Sequence, residues 1–189
     1  MTKNLIQIIV ATSIQFTHEW EAVAAFIEVE SGGNGFDQKT GKILIQFEPA
    51  WFRKKAPYAP SGAWSVNKVE RQHAEWIAFN DAFKKNRISA MESTSIGLGQ
   101  IMGFHWKRLG YSSVGEMWDD AKKGLHRQVW QIFKFIDTDI KLQSCLKARD
   151  WDGVASIYNG SAYKALAAKY GREPYDISMK KAYLKYKRL

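Results

Sequence analysis

Cysteine is almost absent: Cys145 is the only one in 189 residues. No intramolecular disulfide can form, and the chain reads as one that folds in a reducing compartment. The four histidines, His18, His73, His105 and His126, show no ligand spacing. They support neither a zinc nor an iron–sulfur site, and nothing in the sequence calls for a cofactor. Acidic side chains are also in deficit, 19 against 28 basic, for a net charge of +9. That balance suits an anionic partner such as nucleic acid, an acidic membrane surface or a wall polymer. Long apolar runs are missing as well. The apolar start from Leu5 to Ala11 is interrupted by Gln7, is preceded only by Lys3, and leads into no small-x-small cleavage site. It is too short to span a bilayer. We read it as the N-terminal helix of the fold, residues 1–16, and expect no export signal.

What is present argues for a folded globule. Hydrophobic residues make up 46% of the chain and aromatics 14%. The length suits one domain with a real core, and no repeat, low-complexity tract or interdomain linker interrupts it, so residues 1–189 read as a single domain. Eight tryptophans exceed what one core needs. Most belong to the core, but their apolar faces and polar edge also suit pyranose rings.

The periodicity predicts an α-rich α+β fold. Thr17 can cap a helix with Glu19 and Glu21 in its first turn and Trp20, Val23, Ala24 and Ile27 in one stripe. Gly32–Gly33 stop it. Residues 34–42 are turn-rich, and 43–48 alternate as a short strand ended by Pro49, which predicts a small β-hairpin. Everything after reads as helix: about Val66 to Lys85, a segment opened by a capping box at Ser113 and Glu116, and a long amphipathic helix marked by Leu125, Val129, Ile132, Ile136 and Ile140. Three more follow, over 150–158, 161–170 and 178–189.

Glu30 lies seven residues after Val23 and three after Ile27, so it continues the apolar stripe at the end of its helix. Desolvation and the negative end of the helix dipole both disfavour a carboxylate there, which is what a general acid needs. Position alone still favours the plain reading, a solvated helix-end glutamate. The surrounding order of segments reverses it. Val29-Glu30-Ser31-Gly32-Gly33-Asn34-Gly35-Phe36, Phe47-Glu48, Ser93 to Phe104, Asp150-Trp151 and Tyr158-Asn159-Gly160 occur in that sequence.

This pattern resembles goose-type lysozymes and lytic transglycosylases, and more closely the N-acetylmuramidase domain of phage and prophage endolysins, over about Val29 to Tyr170. The resemblance implies a lysozyme-like fold with a small β-hairpin beside the cleft, and cleavage of the β-1,4 bond between N-acetylmuramic acid and N-acetylglucosamine. It implies Glu30 as general acid and Glu48 as a second carboxylate across the cleft. Substrate contacts would come from Ser31, Ser95, Gly97, Gln100, Met102, Tyr158 and Asn159. Gly97 and Gly99 would leave room for the glycan, Gln100 would meet an N-acetyl group or ring hydroxyls, and Asn159 would hold the acetamido group. Packing roles remain open for the glycines and for Tyr158. Asp37 and the Glu92-Ser93 pair are weaker candidates for the acid chemistry. Ile96 and His105 depart from the family's usual aromatic and asparagine, which leaves subsite preference open.

The expected partner is therefore the peptidoglycan glycan strand, with no metal and no nucleic acid, and the enzyme is expected to be a monomer. It would be made in the host bacterial cytoplasm and act on the wall in the periplasm after release. Two alternatives stand beside this: a lytic transglycosylase giving anhydro products, and a non-catalytic cationic protein. Residues 164–189 hold eight basic against two acidic residues, six of the nine net charges. Residues 178–189 read as a basic amphipathic helix that either adheres to an anionic lipid or outer-membrane surface or packs on its own domain.

Overall fold

The computed structural model describes residues 1–16, 18–68 and 71–189, so Thr17 and its expected capping role lie outside the described residues. In chain order the elements are α1 (Lys3–Phe16), α2 (Trp20–Ser31), β1 (Ile45–Phe47), α3 (Pro49–Lys55), α4 (Gly62–Val66), α5 (Gln72–Lys85), α6 (Arg87–Glu92), β2 (Thr94–Ile96) and β3 (Ile101–Met102). A short 3-10 turn at Gly103–His105 leads to α7 (Val114–Lys122), α8 (Leu125–Asp137), α9 (Ile140–Ala148), α10 (Trp151–Asn159), α11 (Tyr163–Lys169) and α12 (Tyr175–Tyr186). Two compact units emerge: Met1–Gly33 with Ile132–Leu189, and Asn34–Gln131.

The first unit is helical and built on α2. Six consecutive residues of α2, Ala22 to Ile27, are buried, so this helix is enclosed on more sides than the single apolar stripe suggests. It ends as its sequence dictates: Gly32 takes φ +62°, which costs glycine nothing, and its amide closes on the Glu28 carbonyl at 2.9 Å. Against it packs α12, which buries Met179, Ala182, Tyr183 and Tyr186. Trp20 meets Tyr186 edge-on, and the Trp151 ring of α10 lies 5.0 Å from that of Tyr183. The apolar N-terminal segment forms α1, burying Leu5 and Ile9 in contact with α2. No helix among the described residues is long and apolar enough to cross a membrane.

The second unit holds a three-stranded antiparallel sheet in the order β1-β2-β3. The strand expected over 43–48 forms over Ile45–Phe47, but its ladder partner is distant: Ile45 opposes Ile96, Gln46 opposes Ser95 and Phe47 opposes Thr94. Within 34–43 there is one isolated bridge, Phe36 with Ile43. The hairpin turn proper joins β2 to β3 through 97–100, where the sequence reading placed no strand. The expectation that all after Pro49 is helical fails here, because strands of two and three residues leave no periodicity to read. The free edge of β1 is closed by side chains of α5 and the loop before it. Gln72 both donates to and accepts from the Ile45 backbone, the buried Glu75 accepts the Phe47 amide at 2.8 Å, and Asn67 donates to the Phe47 carbonyl.

Other boundaries differ for local reasons. The helix expected from Val66 begins at Gln72, since Asn67 is extended and tied to Phe47, and Arg71 is extended as well. The amphipathic run to Ile140 breaks at residues 138–139. Thr138 turns its hydroxyl onto the Lys134 and Phe135 carbonyls, and Asp139 caps α9 through the Leu142 amide, leaving Ile140 exposed. The last helix starts three residues early, because Pro174 stands at its cap with φ already near the helical value. The Ser113 cap forms as expected, its hydroxyl accepting the Glu116 amide while Glu116 reaches back to Ser112.

Candidate active site

In the first unit the sequence-predicted residues are Glu30, Ser31, Tyr158 and Asn159. Glu30 is the penultimate residue of α2, part-buried, and its carboxyl accepts a 2.5 Å hydrogen bond from the Tyr175 hydroxyl of α12. Burial dominates its acidity and pushes its pKa up to about 7, against the opposing pull of that hydroxyl. Buried beside the Glu30 carboxyl, Tyr175 has its own pKa driven far up, so it remains a donor throughout the working range. Its ring stacks on Tyr158 at 6.3 Å, and Tyr158 is wedged edge-on between Phe26 and Phe135. Thus Glu30, Tyr175 and Tyr158 form one connected group. Ser31 turns its hydroxyl back onto the Ile27 carbonyl, and Asn159 is exposed as the last residue of α10.

In the second unit stand Glu48, Ser95, Gly97, Gln100 and Met102. Glu48 occupies the N-cap position of α3 at the end of β1, without a side-chain bond to the helix amides, and its carboxylate accepts from Gln46, two residues earlier on the same face, at 2.8 Å. Burial, and then the negative charge of Glu75, raise its pKa, opposed by Gln46. Ser95 and Gln100 are hydrogen-bonded to each other at 3.2 Å, and the Gln100 amide donates to the Gly97 carbonyl at 2.8 Å. Both act on the hairpin itself. Gly97 has φ +67°, and a Cβ there would lie 2.7 Å from the Gln128 side chain, which is fixed by the Leu98 amide. This glycine is explained by backbone conformation and packing. Met102 is part-buried at the end of β3.

The weaker carboxylates are occupied elsewhere. Asp37 closes its own turn, accepting from Thr40 and Lys39, which hold its pKa down. Glu92 pairs with Lys55 at 2.8 Å and accepts from the Trp106 indole. Among the described residues no group of histidine, cysteine, aspartate and glutamate could hold a metal ion. Tyr175, Glu75 and Gln46 escaped the sequence reading. Only Gln46 left a signal, the two-residue spacing to Glu48 that puts both on one strand face.

A helix-rich α+β fold with a small antiparallel sheet is that of the lysozyme-like class. The N-acetylmuramidase family model matches residues 19–187, and the chain belongs to that family. It is an enzyme of lysozyme type with peptidoglycan as its substrate, which sets aside the non-catalytic alternative. Among solved structures it resembles the Burkholderia AP3 phage endolysin, with a TM-score of 0.81 and 29% identity over 97% of this chain and 70% of that one. No curated protein matches it.

Proposed function

We propose that the chain is an endolysin that hydrolyses the β-1,4 bond between N-acetylmuramic acid and N-acetylglucosamine, with Glu30 as general acid. The observation that carries this reading is the Glu30–Tyr175 pair: a carboxyl that holds its proton near neutral pH, with a fixed donor on it. Glu30 gives its proton to the glycosidic oxygen as that bond breaks, and a water adds its hydroxyl at the anomeric carbon while its remaining proton passes to the carboxylate that activates it, Glu48 or the now ionised Glu30. The carboxylate left behind is stabilised by the Tyr175 hydroxyl already in place. Glu48 is the second carboxylate, which counters the positive charge growing on the sugar ring or activates the water. Ser31, Ser95, Gly97, Gln100, Met102, Tyr158 and Asn159 form the substrate-binding set, with Ser95, Gly97 and Gln100 acting through the shape of the hairpin. The endolysin role is supported by the likeness to the AP3 phage endolysin.

The transglycosylase rival would need Glu30 but no second carboxylate, the sugar's own hydroxyl taking the place of water. Digestion of purified peptidoglycan followed by mass analysis separates the readings, because hydrolysis adds one water per cleavage and transglycosylation adds none. Products lacking the added water, with a silent Glu48→Gln variant, would hand the mechanism to the rival.

A further inference from the structure

Glu48 opens α3, and the outward face of that short helix carries an aromatic and basic cluster with no part in the chemistry above. Trp51, Lys54 and Lys55 fall at i, i+3 and i+4, so they share one face, while Phe52 is fully buried on the other. Trp51 is 40% exposed. Its ring lies 4.8 Å from that of Phe104, tilted by 37°, so the two make a bent platform open to solvent. Lys54 stands over the Trp51 ring at 4.8 Å and Lys55 over Phe104 at 5.6 Å. Lys55 is answered by Glu92, whereas Lys54 has no carboxylate partner among the described residues.

We propose that this platform is a glycan subsite that takes an N-acetylmuramic acid unit, the pyranose stacking on Trp51 and Phe104 and a carboxylate of its lactyl or peptide substituent meeting Lys54. This rests on the muramidase reading and deepens it. Two things on the surface select the occupant. Indole and phenyl faces match the C–H face of a sugar. The unanswered ammonium beside them matches an anion, which a neutral chitin-type sugar does not carry and a muramic unit does. The platform is also continuous in this unit with the predicted site, since Trp51 follows Glu48 by three residues and Phe104 follows Met102 by two. The Glu48 amide is itself anchored on the Ser93 carbonyl at 2.9 Å, which fixes where α3 begins.

The test uses the full chain carrying Glu30→Gln to stop digestion, with binding to purified sacculi measured by sedimentation and to chitotetraose by calorimetry. Trp51→Ala is expected to weaken sacculus binding about tenfold at an unchanged melting temperature, and Trp51→Phe to recover it to within about threefold. Lys54→Gln is expected to weaken binding to sacculi more than to chitotetraose, with the gap closing at high salt. If Trp51→Ala melts early, Trp51→Leu against Trp51→Phe decides, because both keep apolar bulk and only one keeps a ring. Unchanged sacculus affinity in Trp51→Ala, equal affinity in the Leu and Phe variants, or equal losses on both ligands in Lys54→Gln would overturn the proposal. Failure of the enzyme reading is a separate result: the unsubstituted chain would release no fragments from sacculi, whatever the binding data show.

Discussion

Replacing Glu30 with glutamine is expected to separate activity from stability. In the folded chain the Glu30 pKa is about 7, and its ordinary value is 4.5. Between those pH values the folded protein keeps a proton that the unfolded chain has lost. Stability is therefore fully present below about pH 4.5 and falls as the pH rises through 7. The difference of about 2.5 units corresponds to about 3 kcal/mol at most, because the residue is only part-buried and water screens some of it. Glutamine has no proton to lose, so Glu30→Gln should gain up to that amount relative to wild type between pH 4 and pH 8. At the same time peptidoglycan cleavage should fall on the order of a hundred- to ten-thousandfold. Urea unfolding of both proteins at pH 4, 6 and 8 reads the first effect, and release of soluble fragments from sacculi reads the second. A stability difference that does not vary with pH would refute the claim that Glu30 is held protonated by burial. Near wild-type turnover in a folded variant would remove it as the acid.

Tyr175→Phe removes a donor that favours the ionised carboxyl, so the alkaline limb of kcat/KM against pH should move upward by about one unit; an unmoved or acid-shifted limb would count against the pairing. At the C-terminus, Lys181 pairs with Glu173 and Lys185 with Glu28. Neutralising Lys181, Lys185 and Arg188 with glutamine should cost little stability, because these pairs are exposed and solvent screens them. It should also weaken adhesion to anionic vesicles, most at low salt, with little change in cleavage of soluble fragments; equal losses in both assays would mark α12 as structural alone.

Most helices of the first unit were legible because their determinants are local: Gly32 and Asp150 act within three or four residues of their own position, through a left-handed turn and a side-chain cap. The Asp139 cap that opens α9 is as local, but the apolar pattern running on to Ile140 hid it. The sheet was not, because β1 finds its partner 49 residues away at the Gln46–Ser95 pair, and β3 is two residues long. β1 is announced by the alternation over 43–48, but β2 and β3, at three and two residues, carry too little of it to read. What fixes these strands is the side-chain closure of the β1 edge by Gln72, Glu75 and Asn67. Those are three polar residues on a loop and a helix, and nothing in their spacing marks them as partners of a strand.

The same division runs through the candidate site. Glu30 could be singled out because the stripe from Val23 to Ile27 leads to it and because it opens the ordered run of segments that resembles the endolysin muramidase pattern; its position on the helix alone would have favoured a solvated glutamate. Tyr175 could not, because its relation to Glu30 spans 145 residues and depends on how α12 lies along α2. Yet the two are physically one device. Burial alone would lift the Glu30 pKa further still, and a hydroxyl alone would depress it; a value near 7 is the balance of the two. That balance lets one group be protonated often enough to act as an acid and ionised easily enough to part with its proton. The proposed acid is thus visible in sequence, while the tyrosine bonded to it becomes visible only once the last helix has folded back onto the second.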